Sequence, residues 1–222
     1  VESLARLDVQ PRPYSLIGRL RQGDSLQWFA ELGIGYYPVL PCGVYDADYF
    51  AKYQAYAATP LGQELNRLRV AMVRRHFGGE VIDVGIGCGS FIEAHGNARG
   101  YDISPPAIGW LIERSKFRDP YKRGAEAVTM WDSMEHIENF DYLLAGISRF
   151  VFLSLPIFDG MEHVQRSRHY RKDEHYWYFT ANGLTRLMAR LGWRLVESNK
   201  AESKAGREHI GSFAFLREAQ PC

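Results

Sequence analysis

Short apolar runs alternate along this chain with stretches in which apolar residues recur every three or four positions. Val81-Ile82 with Val84, Glu126 to Trp131 and Phe150 to Leu155 are runs of the first kind, the pattern of strands in a buried parallel sheet, and Ala98 to Ile103 reads as a short strand between them. Leu65, Leu68, Met72 and Val73 make a helical stripe after Thr59-Pro60. Ile108, Leu111 and Ile112 make a second after Ser104-Pro105, and Leu184, Leu187, Met188 and Leu191 a third that stops at Gly192. Thr or Ser followed by Pro is the start signal of a helix, and Gly past the last apolar position is its stop signal. Trp193 to Glu197 and Ile210 to Leu216 read as two closing strands joined by a polar turn. Strand and helix in alternation predict an α/β domain.

The first quarter of the chain has a different texture. Residues 1 to about 27 are polar, with Pro11, Pro13, Gly18 and Gly23, and read as a loosely held arm with one short helix. Trp28 to Leu32 is more apolar, and Gly33 to Pro41 is extended or turn-like. Tyr45, Tyr49, Phe50, Tyr53 and Tyr56 share one helical face. That face either packs on the core or acts as a lid over an aromatic or hydrophobic substrate. Gly78-Gly79 ends the next helix just before the strand at Val81. The division is therefore 1–61, an extension with an aromatic lid, and 62–222, the main domain.

The chemistry concentrates where the first strand ends. Asp83-Val84-Gly85-Ile86-Gly87-Cys88-Gly89-Ser90 is a strand running through a glycine turn into a helix, which lets a ligand approach bare backbone at the carboxyl edge of a parallel sheet. A dinucleotide site would place its third glycine at position 90, but Ser90 stands there and the third glycine is Gly89. Asp102 closes the next strand, 19 positions after Asp83, where a carboxylate can accept hydrogen bonds from both hydroxyls of a ribose. The strand at Glu126 runs into Asp132-Ser133-Met134-Glu135-His136, and Arg168 to Thr180 gathers His169, His175, Tyr170, Tyr176, Trp177 and Tyr178.

These marks together resemble the class I methyltransferases that use S-adenosylmethionine (SAM). Asp-x-Gly-x-Gly-x-Gly is similar to their first motif, and Asp132 with Glu135-His136 is similar to the segment after the fourth strand in small-molecule members, with the ubiquinone O-methyltransferase branch the nearest likeness. The resemblance covers residues 62 to 217. It implies a Rossmann-like, seven-stranded sheet, mostly parallel, with an antiparallel closing strand. It also implies SAM as cofactor, held by Asp83, Gly85, Gly87, Gly89, Asp102 and Asp132, and methyl transfer to a small-molecule oxygen or nitrogen nucleophile. The family's third strand is expected around Lys116 to Arg123 but reads weakly, and Asp119 is a poor candidate for the adenine side. A hydroxyl nucleophile needs a base, and His136, His169 and His175 are the candidates. Asp132, Glu135 and His136 could offer a divalent cation two carboxylates and an imidazole, as the ubiquinone-type enzymes suggest. A packed, hydrogen-bonded role is favoured, and no metal is assigned.

Composition narrows the alternatives. The 222 residues suit one domain of roughly 150 residues plus an extension. With 27 basic and 26 acidic residues the net charge is +1, which favours neither nucleic acid nor an anionic membrane. No apolar run approaches the length of a membrane span. Cys42, Cys88 and Cys222 are odd in number and scattered, which suits a reducing cytoplasm better than a disulfide frame or zinc site. DNA amino-methyltransferases carry Asp/Asn-Pro-Pro-Tyr after the fourth strand, where this chain has Asp132-Ser133-Met134. Cytosine C5 enzymes need Pro-Cys there, and Pro41-Cys42 lies before the glycine loop. The non-enzymatic alternative is a methyltransferase-like fold kept as a binding or assembly module. The oligomeric state is not written in the sequence.

Overall fold

In a computed structural model of the chain, residues 25–38 and 45–218 are described. The expected N-terminal arm with its short helix, the end of the Gly33 to Pro41 segment, Cys42 and Cys222 lie outside them. The centre is a six-stranded sheet in the order β4-β3-β5-β6-β9-β8. Its strands are β3 (Val81–Val84), β4 (Ala98–Tyr101), β5 (Ala125–Trp131), β6 (Ile147–Pro156), β8 (Trp193–Asn199) and β9 (Ile210–Arg217). The first four are mutually parallel. β9 runs antiparallel to both β6 and β8, so the expected antiparallel closing strand is present. All four residues of β3 are buried, as a central strand covered by helices on both faces requires.

Helices alternate with these strands as the apolar stripes predict. α1 spans Ala47–Ala57 and α2 Pro60–His76, the latter capped by Thr59 with Pro60 at its start. α3 (Ser90–His95) leaves the glycine turn, and α4 (Pro105–Glu113) follows β4. After α5 (Pro120–Arg123) and β5 comes a 3-10 turn at Met134–His136, then α6 (Phe140–Ala145). α7 (Met161–Arg166), α8 (Ala181–Arg190) and the one-turn α9 (Ala201–Lys204) complete the set, α9 lying in the expected polar turn between the last two strands. No helix among the described residues is long and apolar enough to cross a membrane.

Two features differ from expectation. Among the described residues the sheet has six strands rather than seven. The weak third strand survives as a single parallel bridge between Gly100 and Phe117, in which Gly100 N–H donates to the Lys116 carbonyl and Arg118 N–H to the Gly100 carbonyl, each at 2.9 Å. Pairing stops there because Asp119 caps the Tyr121 N–H and Pro120 starts α5 two residues on. The second feature is a small antiparallel sheet, β1 (Gln27–Phe29), β2 (Ile34–Tyr36) and β7 (Trp177–Phe179), in the order β1-β2-β7. Ile34 pairs with Phe179 and Tyr36 with Trp177, and all four side chains are part of the main apolar core. Thr180 N–H donates to the Gly33 carbonyl as its hydroxyl caps α8. The sequence boundary at 61/62 falls in the first turn of α2, with β2 on its N-terminal side.

Candidate active site

The glycine loop joins β3 to α3 with Gly85, Gly87 and Gly89 all in the left-handed region, at φ 81°, 57° and 82°. Neighbours crowd the space that side chains would need. A Cβ on Gly89 would come 2.4 Å from the Trp110 ring, and one on Gly85 2.6 Å from Ser133 Cβ. Ser133 in turn donates to the Val84 carbonyl, so the segment after β5 is fastened to the glycine loop. Over Gly87 stands Tyr53 of α1.

Asp83 sits within β3, 1% exposed, and accepts from the Thr129 hydroxyl at 2.7 Å. Burial pushes its carboxyl up to about 7, against the pull of the Thr129 bond and the Arg69 charge. Asp102 lies just past β4. Its Oδ2 accepts from Ile86 N–H and its Oδ1 from Ser104 N–H, both at 2.8 Å. Burial raises its pKa, and these backbone bonds oppose the rise. A carboxylate has about four lone-pair positions, so both oxygens keep capacity for a ribose.

Of the five aromatics expected on one helical face, Tyr45, Tyr49 and Tyr53 run together beside this edge, while Phe50 packs into the core and Tyr56 is 40% exposed. Tyr45 and Tyr49 rings meet at 5.1 Å, Tyr49 and Tyr53 at 4.7 Å, and the Tyr49 hydroxyl donates to that of Tyr53. The Tyr45 carbonyl accepts from the Ser104 hydroxyl. Across from α1 lies the His169 to Tyr178 segment. Glu174 acts electrostatically on Tyr45 and Tyr49, and Arg171 feels Tyr49 and Tyr53. A cleft of about 200 Å³ lined by Arg67, Arg69, Trp131, Asn199 and Glu202, among others, includes no residue of the glycine loop.

Asp132 begins the segment after β5 at φ 55°. Arg207 grips it with two bonds, Nη1 to Oδ2 at 2.6 Å and Nη2 to Oδ1 at 2.9 Å, and Arg69 Nη2 reaches Oδ2 at 3.0 Å. Both arginines also pair with Glu202, which is 1% exposed. Burial pushes Asp132 up, but Arg207 and Arg69 outweigh it and hold the carboxyl below its ordinary range. In the sequence Arg69 is one of four arginines, with Arg67, Arg74 and Arg75, that read as solvated charges on the helix after Thr59-Pro60. Its position on α2 instead turns it inward, with the guanidinium 5.3 Å from the Trp131 ring centre. Glu202 and Arg207 gave no local signal, being ordinary charges in a polar turn.

Glu135 and His136 follow on the 3-10 turn. The His136 ring meets that of His175 edge to face at 4.5 Å. Burial pushes both imidazoles down, His175 to about 2 with His136 and Arg171 adding to the effect, so both are neutral near pH 7. Burial, with the Asp132 charge, pushes the Glu135 carboxyl well up. Glu135 Oε2, His136 Nδ1 and His175 Nδ1 are buried without a hydrogen-bond partner among the described residues. His169 is not part of this group; its ring bonds the Glu208 carbonyl at 3.0 Å. Asp119 serves as the α5 cap.

Comparison with known proteins accords with this layout. A family model described as a methyltransferase domain matches residues 53–198. A search of curated proteins finds no match. Among solved structures, magnesium protoporphyrin IX methyltransferase from Synechocystis with bound SAH superposes with a TM-score of 0.53 at 12% identity, over 78% of this chain and 96% of that one. A SAM-dependent methyltransferase from Thermotoga maritima gives 0.55 at 12% identity, over 77% and 97%. A small RNA methyltransferase gives 0.51 at 15%, over 73% of this chain and 26% of that one. At such identities the likeness is one of fold.

Proposed function

Given that this chain belongs to the methyltransferase-domain family and is a SAM-dependent methyltransferase, we propose that it methylates an oxygen or nitrogen nucleophile on a small molecule held between α1 and the His169 to Tyr178 segment. In this reading SAM lies across Gly85 to Gly89 with its ribose on Asp102, and Asp83 supports the loop from within β3. Methyl transfer from a sulfonium needs little covalent help. The protein's work is to align nucleophile, methyl carbon and sulfur and to keep water out. Tyr45, Tyr49 and Tyr53 supply an apolar wall beside the loop, and the segment facing them supplies the other.

The observation that carries the acceptor side is the pair of neutral, partly unpartnered imidazoles: His136, on the segment that Ser133 fastens to the glycine loop, and His175, whose ring meets it from the facing segment. A neutral imidazole with a free nitrogen can receive the proton of a hydroxyl as the methyl arrives. Asp132, with its oxygens engaged by Arg207 and Arg69, supports the cofactor edge through that cluster. His169, bonded to the Glu208 carbonyl, acts as part of the wall.

Turnover on a panel of phenols, catechols and aryl amines, followed as S-adenosylhomocysteine released, tests the reading. His136→Ala should cut turnover by about 10²–10⁴-fold, the usual contribution of a positioned base, while calorimetry shows SAM affinity nearly unchanged. Full activity in that variant would make His136 structural. Loss of SAM binding would place it on the cofactor loop. Turnover on RNA but on no member of the panel would overturn the small-molecule acceptor.

A further inference from the structure

We propose that Glu135, His136 and His175 form a binding site for one divalent transition-metal ion of the zinc class. One ligand atom from each of the three lies within 4.8 Å of the others. Glu135 Oε2, His136 Nδ1 and His175 Nδ1 are also buried polar atoms without a hydrogen-bond partner among the described residues. Polar atoms taken out of water are normally paired, and three residues whose ligand atoms lie this close, each with an unpaired buried atom, make a site for a ligand that all three can share. A proton shared between two of them satisfies two. A cation satisfies all three.

The donor set selects the ion. Two imidazoles and one carboxylate are the protein ligands of an open zinc site, in which a fourth position is left for water or substrate. Magnesium and calcium would ask for more oxygens than this pocket offers. Ligand atoms about 2.1 Å from a tetrahedral ion lie about 3.4 Å apart, so small side-chain rotations close the site. The backbone already holds the parts in place. Tyr176 N–H donates to the Glu135 carbonyl at 2.9 Å, His175 N–H to the Arg171 carbonyl at 2.8 Å, and the Trp177 indole N–H to the carbonyls of Ile137 and Glu138.

The local charges are mixed. Asp132 acts on Glu135, His136 and His175 in favour of a cation, and Arg171 opposes it. Binding would compete with protons for the same donor atoms, so metal affinity should fall as pH falls. This set is not the one that sequence spacing suggests. Asp132 is withdrawn by Arg207 and Arg69, and His175, 39 positions after His136, takes its place. On the small-molecule reading above, the open position would take an acceptor oxygen. The ion would then lower the hydroxyl's pKa, and the histidines would act through it rather than as free bases.

The test uses full-length protein stripped with a chelator. Cobalt(II) titration should give the intense visible bands of a four-coordinate site at one ion per chain, and zinc should abolish them. His175→Ala and Glu135→Gln should each weaken zinc binding by at least about 100-fold, beyond the 10–100-fold that outer contacts produce. His169→Ala, in the same segment but bonded elsewhere, should leave it unchanged. SAM affinity, measured in parallel, should survive in His175→Ala, so failure of the metal site and failure of the methyltransferase reading are told apart. If Glu135→Gln does not fold, His175→Ala decides. No cobalt spectrum in the folded wild type, or equal losses in His169→Ala and His175→Ala, overturns the proposal.

Discussion

Replacing Asp83 by Asn should stabilise the cofactor-free protein, and by more at high pH than at low. Asp83 is buried in the central strand, where Thr129 donates to it and the Arg69 charge only partly offsets the loss of water. Its carboxyl is pushed up to about 7, against about 3.9 in an unfolded chain. A carboxyl raised on folding favours the native state fully below the unfolded value, and that advantage is lost as pH climbs through the folded one. Between pH 5 and pH 8 the loss assigned to Asp83 alone works out at about 2–3 kcal/mol, from 1.36 kcal/mol per unit. Asn keeps the shape and an acceptor for Thr129 but never ionises. The assay is urea unfolding of wild type and Asp83→Asn at both pH values, without SAM. The difference between the proteins should grow by about 2–3 kcal/mol from pH 5 to pH 8. Any fixed packing cost of the amide cancels in that comparison. Titration of the histidines and of Glu135 cancels too, since both proteins carry them. A pH-independent difference would mean that Asp83 is already ionised at pH 5 in the native state, and that its burial is offset by a charge or water at the strand end.

Asp102→Ala should weaken SAM binding by about 1.5–3 kcal/mol, roughly 10- to 150-fold, the range for losing a charged hydrogen-bond partner. Calorimetry on the folded variant checks it, and unchanged affinity would remove the ribose from Asp102. Arg207→Met should destabilise the fold by about 2–3 kcal/mol. This is less than the 3–5 of a fully buried pair, because the Asp132 side chain is 28% exposed and Arg69 still pairs with both carboxylates. A change within a few tenths of a kcal/mol by urea unfolding would make the cluster ornamental to stability.

What the sequence made legible is what depends on neighbours in the chain. The buried strands at Val81, Glu126 and Phe150, the Thr59 cap and the glycine turn each carry their cause within a few residues. The small sheet was hidden because β1 and β2 are three residues long, with Gly35 at the centre of β2, and what fixes β2 is Phe179 and Trp177 far along the chain. The missing third strand has a local reason, Asp119-Pro120, that the family likeness overrode. At the site, the glycines and Asp102 were readable from spacing. His136 and His175 were both singled out, but nothing local says that their rings meet. Arg69 looks like any helix arginine until Trp131 and Asp132 are placed opposite it.

Among the described residues the shortened sheet leaves β4 with one flank almost unpaired, joined only at Gly100. An exposed strand flank of that kind is a template for adding a strand from another chain, and proteins that keep one commonly guard it with charge. Here the guard is Glu80, which takes Arg99 of β4 at 2.9 Å on one oxygen and Arg118, just past the bridge, at 2.9 Å on the other. A strand approaching from outside would have to strip water from that triplet before making its first backbone bond. A charged triplet in that place works against recruiting a further strand from a second molecule.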